Sequence, residues 1–139
     1  MPTSRLRIRA VSAFWLLLLL VVALARSTFT ASAATRILTD SDKGAKISIV
    51  YGDQIELRLA SNPSTGYMWY VHPKSTSLVK LISQSETDSK LPGVGRPGVQ
   101  IFHFVAREKG DGVILLHYVR SWDPPDPNEK QFDLHVSIK

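Results

Sequence analysis

The chain has 139 residues, contains no cysteine and carries a formal net charge of +5. Without cysteine it has no disulfide framework, no thiol nucleophile and no thiolate metal ligand. Four arginines and no acidic residue lie within residues 1–33, so the remaining chain carries only +1. Because phosphate binding requires a clustered basic face, a nucleic-acid-binding function is not expected.

The first 33 residues have the pattern of a secretory signal peptide. Three arginines near the N-terminus precede an apolar stretch over residues 10–25, and Ala31-Ser32-Ala33 is an A-x-A cleavage site, with Ala23-Leu24-Ala25 as a second candidate. The stretch falls short of the roughly 20 apolar residues that a spanning helix needs, which favours cleavage over a membrane anchor. We predict a signal peptide over residues 1–33. The mature domain, residues 34–139, is expected to be secreted, held in endosomal or lysosomal vesicles, or periplasmic if the source is a bacterium, with no membrane association after cleavage.

The mature region is predicted to be an all-β domain. Short segments rich in β-branched and aromatic residues recur with turn residues between them, over residues 46–51, 54–59, 67–72, 78–83, 99–107, 113–120 and 132–138. Such a series predicts an immunoglobulin-like antiparallel β-sandwich of about seven strands, with no helix. Residues 99–107 and 113–120 carry apolar side chains on both faces, so they are expected to be central strands or to have their second face covered by another part of the protein. Residues 34–45 are expected to form an arm of modest order.

Three connections share one end of this sandwich if successive turns alternate between its ends. We name them the first loop (residues 62–67), the second loop (residues 87–98) and the third loop (residues 120–131). Two predicted strands separate each from the next, so all three are expected side by side. The connections at residues 74–77 and 108–112 are expected at the opposite end. Loops grouped on a rigid β-sandwich are a common binding arrangement.

The first loop has the sequence Asn62-Pro63-Ser64-Thr65-Gly66-Tyr67. The ring of Pro63 fixes its own φ and pushes Asn62 to an extended conformation. Gly66 permits the positive φ that a tight turn requires. Ser64 and Thr65 are therefore expected at the tip, with small hydroxyls and free backbone N–H groups. A well-made turn without further function is the alternative interpretation.

The second loop contains Gly93-Val94-Gly95-Arg96-Pro97-Gly98. Its glycines permit close approach by the backbone of a partner, and Pro92 and Pro97 limit movement. A phosphate-binding loop would need a following helix and a Lys-Ser/Thr pair, which this sequence does not provide, so nucleotide binding is not expected. A flexible hairpin loop remains the alternative.

The third loop begins with Arg120-Ser121-Trp122 and continues into a proline-rich stretch that cannot form a central strand. Trp122 is either a solvent-facing binding residue or a cap over the end of the sandwich, and the sequence favours neither. Trp69 lies inside a predicted strand and is expected in the core.

No catalytic or metal-binding group is expected. Four histidines are scattered along the chain: His72, His103, His117 and His135. They form no H-E-x-x-H motif, and no G-x-S-x-G motif is present. If residues 99–107 and 113–120 formed a hairpin, His103 and His117 would face each other, but a surface pair is favoured over a metal site because no further ligand is evident. The spacing of three acidic residues in the third loop, Asp123, Asp126 and Glu129, matches no EF-hand loop. We predict no enzyme activity, no cofactor and no metal.

The loop segments together resemble a known family. Asn62-Pro63-Ser64-Thr65-Gly66-Tyr67-Met68-Trp69 is similar to the N-P-T-T-G-[YF]-x-W segment of the chagasin-type inhibitors of papain-like cysteine peptidases. Gly93-Val94-Gly95 resembles the start of their G-x-G-G loop, and Tyr118-Val119-Arg120-Ser121-Trp122 resembles their Y-x-R-P-W segment. Ser121 stands where the family usually has proline, and Arg96-Pro97 replaces its second glycine region. The resemblance covers essentially the whole mature chain.

The resemblance implies a tight, reversible, competitive inhibitor of papain-like, cathepsin-L-like cysteine peptidases, endogenous or host. The first loop would cover the catalytic Cys–His pair, with Ser64 and Thr65 nearest the sulfur. The second loop would run along the non-primed side of the cleft, and Arg120 and Trp122 would engage the primed side. A monomer is expected. The implied peptidase-binding residues are Asn62, Pro63, Ser64, Thr65, Gly66, Tyr67, Gly93, Val94, Gly95, Arg96, Arg120, Ser121 and Trp122.

A second class of function is a secreted immunoglobulin-like adhesion or glycan-binding module. Such a module would explain the fold and an exposed Trp122, but it would not explain the tight first loop.

Overall fold

The strands of this chain are seen in a computed structural model that describes residues 32–87 and 97–139. Within those residues there are eight strands: β1 (Thr35–Thr39), β2 (Lys46–Ile49), β3 (Gln54–Ser61), β4 (Met68–Val71), β5 (Val79–Thr87), β6 (Gly98–Ala106), β7 (Gly110–Val119) and β8 (Lys130–Ile138). Two short 3₁₀ helices, Asp40–Asp42 and Pro63–Thr65, are the only helical segments in the same residues. No helix there is long and apolar enough to span a bilayer. Most of the predicted signal peptide and residues 88–96 of the second loop lie outside the described residues.

The strands form two four-stranded sheets that share one core. Sheet A has the order β1-β3-β6-β5, and sheet B has the order β2-β8-β7-β4. Alternate residues of β2, β3 and β8 point into the core, as Ile55, Leu57 and Leu59 do in β3. Trp69 of β4 is only 1% exposed and joins the same core, as predicted. The all-β sandwich is confirmed.

The structure adds an eighth strand and two parallel pairs to the predicted fold. β1 pairs in parallel with β3, and β2 pairs in parallel with β8. The expectation of an irregular arm at residues 34–45 is therefore wrong over β1. Only Leu38 of β1 is buried, so the strand is held mainly by backbone hydrogen bonds to β3 and shows no alternation in the sequence.

β6 and β7 are central strands, as their apolar composition predicted, but they belong to different sheets. β6 lies between β3 and β5, whereas β7 lies between β8 and β4. The hairpin that would have brought His103 opposite His117 does not form, so these two histidines do not face each other. His117 pairs instead with Tyr70 of β4 and Gln131 of β8.

The strand ends that carry the three loops lie at one end of the sandwich. Ser61 at the end of β3 is opposite Gly98 at the start of β6, and Thr87 at the end of β5 is opposite Val99. In sheet B, Met68 at the start of β4 is opposite Val119 at the end of β7. The grouping of the strand ends that carry the loops is as predicted.

The opposite end holds the connections that follow β2, β4 and β6. The amides of Arg107 and Glu108 both donate to the carbonyl of Leu78, at 2.9 and 3.1 Å. These bonds tie the connection between β6 and β7 to the segment that precedes β5. The connections at residues 74–77 and 108–112 therefore lie where the alternation of turns placed them.

Candidate binding site

The first loop is a compact turn whose backbone follows its sequence. Asn62 has φ −133°, an extended value, and Pro63 begins the 3₁₀ helix Pro63–Thr65. Gly66 follows with φ +80°, a left-handed conformation that favours glycine. Its amide donates to the carbonyl of Pro63 at 2.9 Å, which closes the turn.

The side chains at the tip brace the first loop from within. The Ser64 hydroxyl donates to Asn62 Oδ1 at 2.6 Å, and the Thr65 hydroxyl donates to the carbonyl of Asn62 at 2.7 Å. The amide of Thr65 also donates to that carbonyl, at 3.1 Å. The expectation that the tip leaves its backbone N–H groups free is therefore wrong for Thr65, because the 3₁₀ turn uses this group. Ser64 and Thr65 are exposed, so their hydroxyls still face solvent.

Arg120 of the third loop fastens that loop to the first. Its Nε donates to the carbonyl of Thr65 at 3.0 Å, a charge-assisted hydrogen bond. Its guanidinium also lies 4.4 Å from the centroid of the Tyr67 ring, within the range of a cation–π contact. Asp123 lies 3.8 Å from Arg120 Nη1 and adds an exposed ion pair.

Trp122 lies over the first loop and remains 70% exposed. A Cβ atom built on Gly66 would collide with the benzo ring of Trp122, so the indole packs directly against the glycine backbone. Trp122 is therefore a solvent-facing residue supported by the first loop, and it does not close the core. Gly66 therefore has two roles: it adopts the positive φ that the turn requires, and its lack of a side chain leaves room for the indole of Trp122. Ser121, the residue before Trp122, is also exposed.

Tyr118 anchors both loops to sheet B. Its hydroxyl accepts a hydrogen bond from the amide of Asn62 at 2.8 Å. Its ring stacks on Tyr67 at 5.5 Å between centroids and lies 5.0 Å from Trp69 of the core. The first loop, the start of the third loop and the core therefore share one row of aromatic side chains.

Gln100 supports the first loop from the other sheet. This fully buried side chain of β6 accepts a hydrogen bond from the amide of Trp69 at 2.7 Å and donates to the carbonyl of Trp69 at 3.3 Å. It thereby fixes the strand that follows the first loop. Sequence reasoning missed Gln100, although a polar residue at an inward position of an apolar strand is the signal that indicates it.

The second loop is described only at its ends. Gly93, Val94, Gly95 and Arg96 lie outside the described residues. The Thr87 hydroxyl donates to the carbonyl of Val99 at 3.3 Å, so the strands on either side of this loop stay paired to its base.

The described residues at this end offer shape and hydrogen-bonding groups, with no catalytic pair among them. A nucleophilic hydroxyl needs a base within hydrogen-bond reach. The hydroxyls of Ser64 and Thr65 instead donate to oxygens of Asn62. A β-sandwich with exposed, mutually braced loops at one end is typical of binding proteins.

Comparisons with known proteins give the family. The profile of the Chagasin family peptidase inhibitor I42 matches residues 48–136. The chain is 31% identical to amoebiasin-1 of Entamoeba histolytica over 103 residues, which cover 73% of this chain and 98% of amoebiasin-1. It is 29% identical to chagasin of Trypanosoma cruzi over 105 residues, which cover 71% of this chain and 94% of chagasin.

A solved structure gives the same result. The crystal structure of the cysteine protease inhibitor EhICP2 from Entamoeba histolytica superposes with a TM-score of 0.67 at 28% sequence identity, and the match covers 77% of this chain and 97% of EhICP2. The chain belongs to the chagasin family of peptidase inhibitors. It is a protease inhibitor and not an enzyme, which confirms both predictions, and the adhesion or glycan-binding alternative is not favoured.

Proposed function

We propose that this protein blocks the active-site cleft of papain-like cysteine peptidases with its three loops. The first loop enters the cleft and covers the catalytic Cys–His pair, with Ser64 and Thr65 nearest the sulfur. Arg120, Ser121 and Trp122 contact the primed side of the cleft. Inhibition is tight, reversible and competitive.

The bracing between the first and third loops carries this proposal. The bond from Arg120 to the carbonyl of Thr65 and the packing of Trp122 on Gly66 hold both loops in one shape before any partner binds. A preorganised loop set avoids the ordering cost that weakens flexible ligands. Filling a peptidase cleft would bury on the order of 1,600 Å² in total, the standard size of a protease–inhibitor interface.

The second loop completes the contact surface in this proposal. Gly93, Val94 and Gly95 would pair backbone to backbone with the non-primed side of the cleft. Arg96 would favour an enzyme with an acidic patch there. Support comes from the strand ends, since Ser61 and Gly98 are paired beside the base of the first loop.

Titration of active papain with the purified protein, expressed from the full chain, tests the proposal. We expect competitive inhibition of papain and cathepsin-L-like enzymes and none of chymotrypsin-like serine peptidases. In a variant with Ser64, Thr65 and Trp122 all changed to alanine, we expect inhibition to weaken by at least about a thousandfold, since central interface residues carry most of the binding energy.

The matched control changes exposed residues at the opposite end of the sandwich. The Ser77→Ala, Lys109→Ala double variant removes solvent-facing side chains that lie far from the three loops. Its inhibition constant should equal that of the unchanged protein. If the triple-alanine protein still inhibits as the control does, the proposed use of the loops is wrong.

We also propose that residues 1–33 are removed during export. The basic start, the apolar stretch and the A-x-A site support this proposal. Intact-mass measurement of the protein recovered from secreting cells should give a chain that begins at Ala34. Recovery of the full-length chain in the membrane fraction would contradict it.

A further inference from the structure

Two histidines and a glutamate converge beside the third loop, on the outer face of sheet B. His72 follows the end of β4, His117 lies in β7, and Glu129 immediately precedes β8. Each offers one ligand atom, and these three atoms all lie within 4.8 Å of one another. The described residues contain no other group of three or more histidine, cysteine or acidic side chains with this property.

The three side chains are partly buried and open onto a cleft. His117 Nδ1 lies 3.0 Å from Glu129 Oε1, and the rings of His72 and His117 meet edge to face with centroids 5.0 Å apart. The cleft has a volume of about 410 Å³ and is also lined by Tyr70, Pro73 and residues of the third loop. Small solutes can therefore reach the three side chains.

The ligand set fits a divalent transition metal. Imidazole nitrogens and carboxylate oxygens bind Zn²⁺ at about 2.0–2.2 Å, so two ligands of a tetrahedral ion lie roughly 3.4 Å apart. The contact of 3.0 Å between His117 and Glu129 is already close to that spacing. Because all three atoms lie within 4.8 Å of one another, no separation has to shrink by more than roughly 1.4 Å, which side-chain rotation in an open cleft can provide. Three protein ligands leave a fourth position for water.

Two existing hydrogen bonds have to change when a metal binds. The proton between His117 Nδ1 and Glu129 Oε1 has to leave before both atoms can coordinate the ion. His72 Nδ1 accepts a hydrogen bond from the amide of Lys74 at 3.0 Å. Coordination by this nitrogen replaces that bond, and coordination by Nε2 requires the other tautomer of the ring. Lys74 is exposed, so water takes the place of the ring as acceptor for its amide.

We propose that His72, His117 and Glu129 form a binding site for a divalent transition-metal ion such as Zn²⁺. Because Glu129 is the last residue before β8, a bound ion fastens this part of the third loop to β7 and to the segment after β4. The other end is already held by Arg120. The inference does not depend on the proposed mode of inhibition.

Titration of the purified protein with Zn²⁺ and Co²⁺, in a non-coordinating buffer, tests the site. Calorimetry should show one ion bound per chain, and Co²⁺ should give the intense visible absorption of a four- or five-coordinate ion. His72→Ala, His117→Ala and Glu129→Gln should each raise the dissociation constant for Zn²⁺ at least about tenfold, since each removes one of three ligands.

His135→Ala is the matched control. His135 lies on the same sheet and pairs with Asp133 at 3.7 Å, but belongs to no group of three ligands in the described residues. Its loss should leave the dissociation constant unchanged. The His72 variant is the decisive one if the His117 variant unfolds, because His72 lies outside the strands. A dissociation constant above about 1 mM, or Zn²⁺ binding that survives the loss of His72, would overturn the proposal.

Discussion

The two ends of the sandwich are held together by different kinds of contact. At the loop end, side chains join one loop to another, as Arg120 and Trp122 do with the first loop. At the opposite end, the connections are joined largely by backbone groups, as the amide of Gly52 is to the carbonyl of Ala106 at 3.0 Å and that of Thr76 to Val113 at 2.7 Å. A side-chain acceptor adds to these bonds there, since Asp53 Oδ1 accepts from the amide of Ala34 at 3.0 Å. An alanine substitution removes a side-chain contact but leaves the backbone hydrogen bonds in place. Inhibition should therefore be sensitive to substitution at the loop end, whereas stability should respond at both ends.

The largest expected difference in inhibition between the two ends is that between alanine variants of two glycines with similar backbone conformations. Gly66 has φ +80° and Gly52 has φ +89°, so alanine strains either site by about 1–2 kcal/mol. A Cβ on Gly66 collides with Trp122, whereas a Cβ on Gly52 meets no atom within 4 Å. Papain titration should show inhibition weakened at least about a hundredfold by Gly66→Ala, since the change displaces Trp122 and also strains the backbone of the first loop, which is itself part of the contact surface.

Gly52→Ala is the control for that experiment. Urea unfolding should show that both alanine variants lose similar stability, while the inhibition constant of the Gly52 variant stays within about threefold of the original. Equal inhibition constants for the two variants would show that the packing of Trp122 on Gly66 has no part in binding.

The next largest difference in the inhibition constant is expected between alanine variants of two exposed aromatic residues, one at each end. Trp122 is 70% exposed at the loop end, and Tyr51 is 56% exposed between β2 and β3 at the opposite end. Removing a tryptophan at an interface centre typically costs 2 kcal/mol or more, so Trp122→Ala should weaken inhibition of papain by about 30-fold. Tyr51→Ala should not change the inhibition constant. A comparable loss from Tyr51→Ala would move the binding surface to the other end.

The brace from Arg120 predicts a smaller effect. Arg120→Lys keeps the positive charge but loses the planar group that bonds to the carbonyl of Thr65 and stacks on Tyr67. The loss of roughly 1 kcal/mol should weaken inhibition about fivefold. Asp123→Asn breaks only the exposed ion pair with Arg120, which is worth little, and should change the inhibition constant by less than about twofold. The reverse order in papain titration would contradict the role given to Arg120.

The smallest effect on inhibition is expected from Gly112 of β7. A Cβ there would collide with Thr76, so Gly112→Ala should lower the free energy of unfolding by about 1–3 kcal/mol. Because both residues belong to the opposite end, the inhibition constant of the folded fraction should not change. Urea unfolding and active-site titration on the same sample separate the two quantities. A weakened inhibition constant in the folded fraction would show that the two ends are coupled.

The strands in which apolar and polar residues alternate could be predicted from the sequence, because the alternation shows which side chains are buried. Ile55, Leu57 and Leu59 point into the core, and the same holds for the even-numbered apolar residues of β8. β1 could not be predicted, since only Leu38 among its five residues is buried and its pairing with β3 uses backbone groups. Parallel pairing at the sheet edges leaves no trace in the side-chain pattern.

The candidate site could be predicted in part. The turn at Gly66 follows from local chemistry, and the grouping of the loops follows from counting strands. The contact of Arg120 with Thr65 and the cluster of His72, His117 and Glu129 could not be predicted, because each joins residues from separate strands or loops. Only the pairing of β4 with β7 brings His72 near His117.

Hydrogen–deuterium exchange of the protein, free and bound to papain, tests most directly that the loop end is the binding surface. Binding should slow exchange at the amides of the first loop, the second loop and residues 120–122. Exchange at residues 50–53, 74–77 and 107–109 should stay the same. Slowed exchange at the second set, with no change in the first, would contradict the central claim.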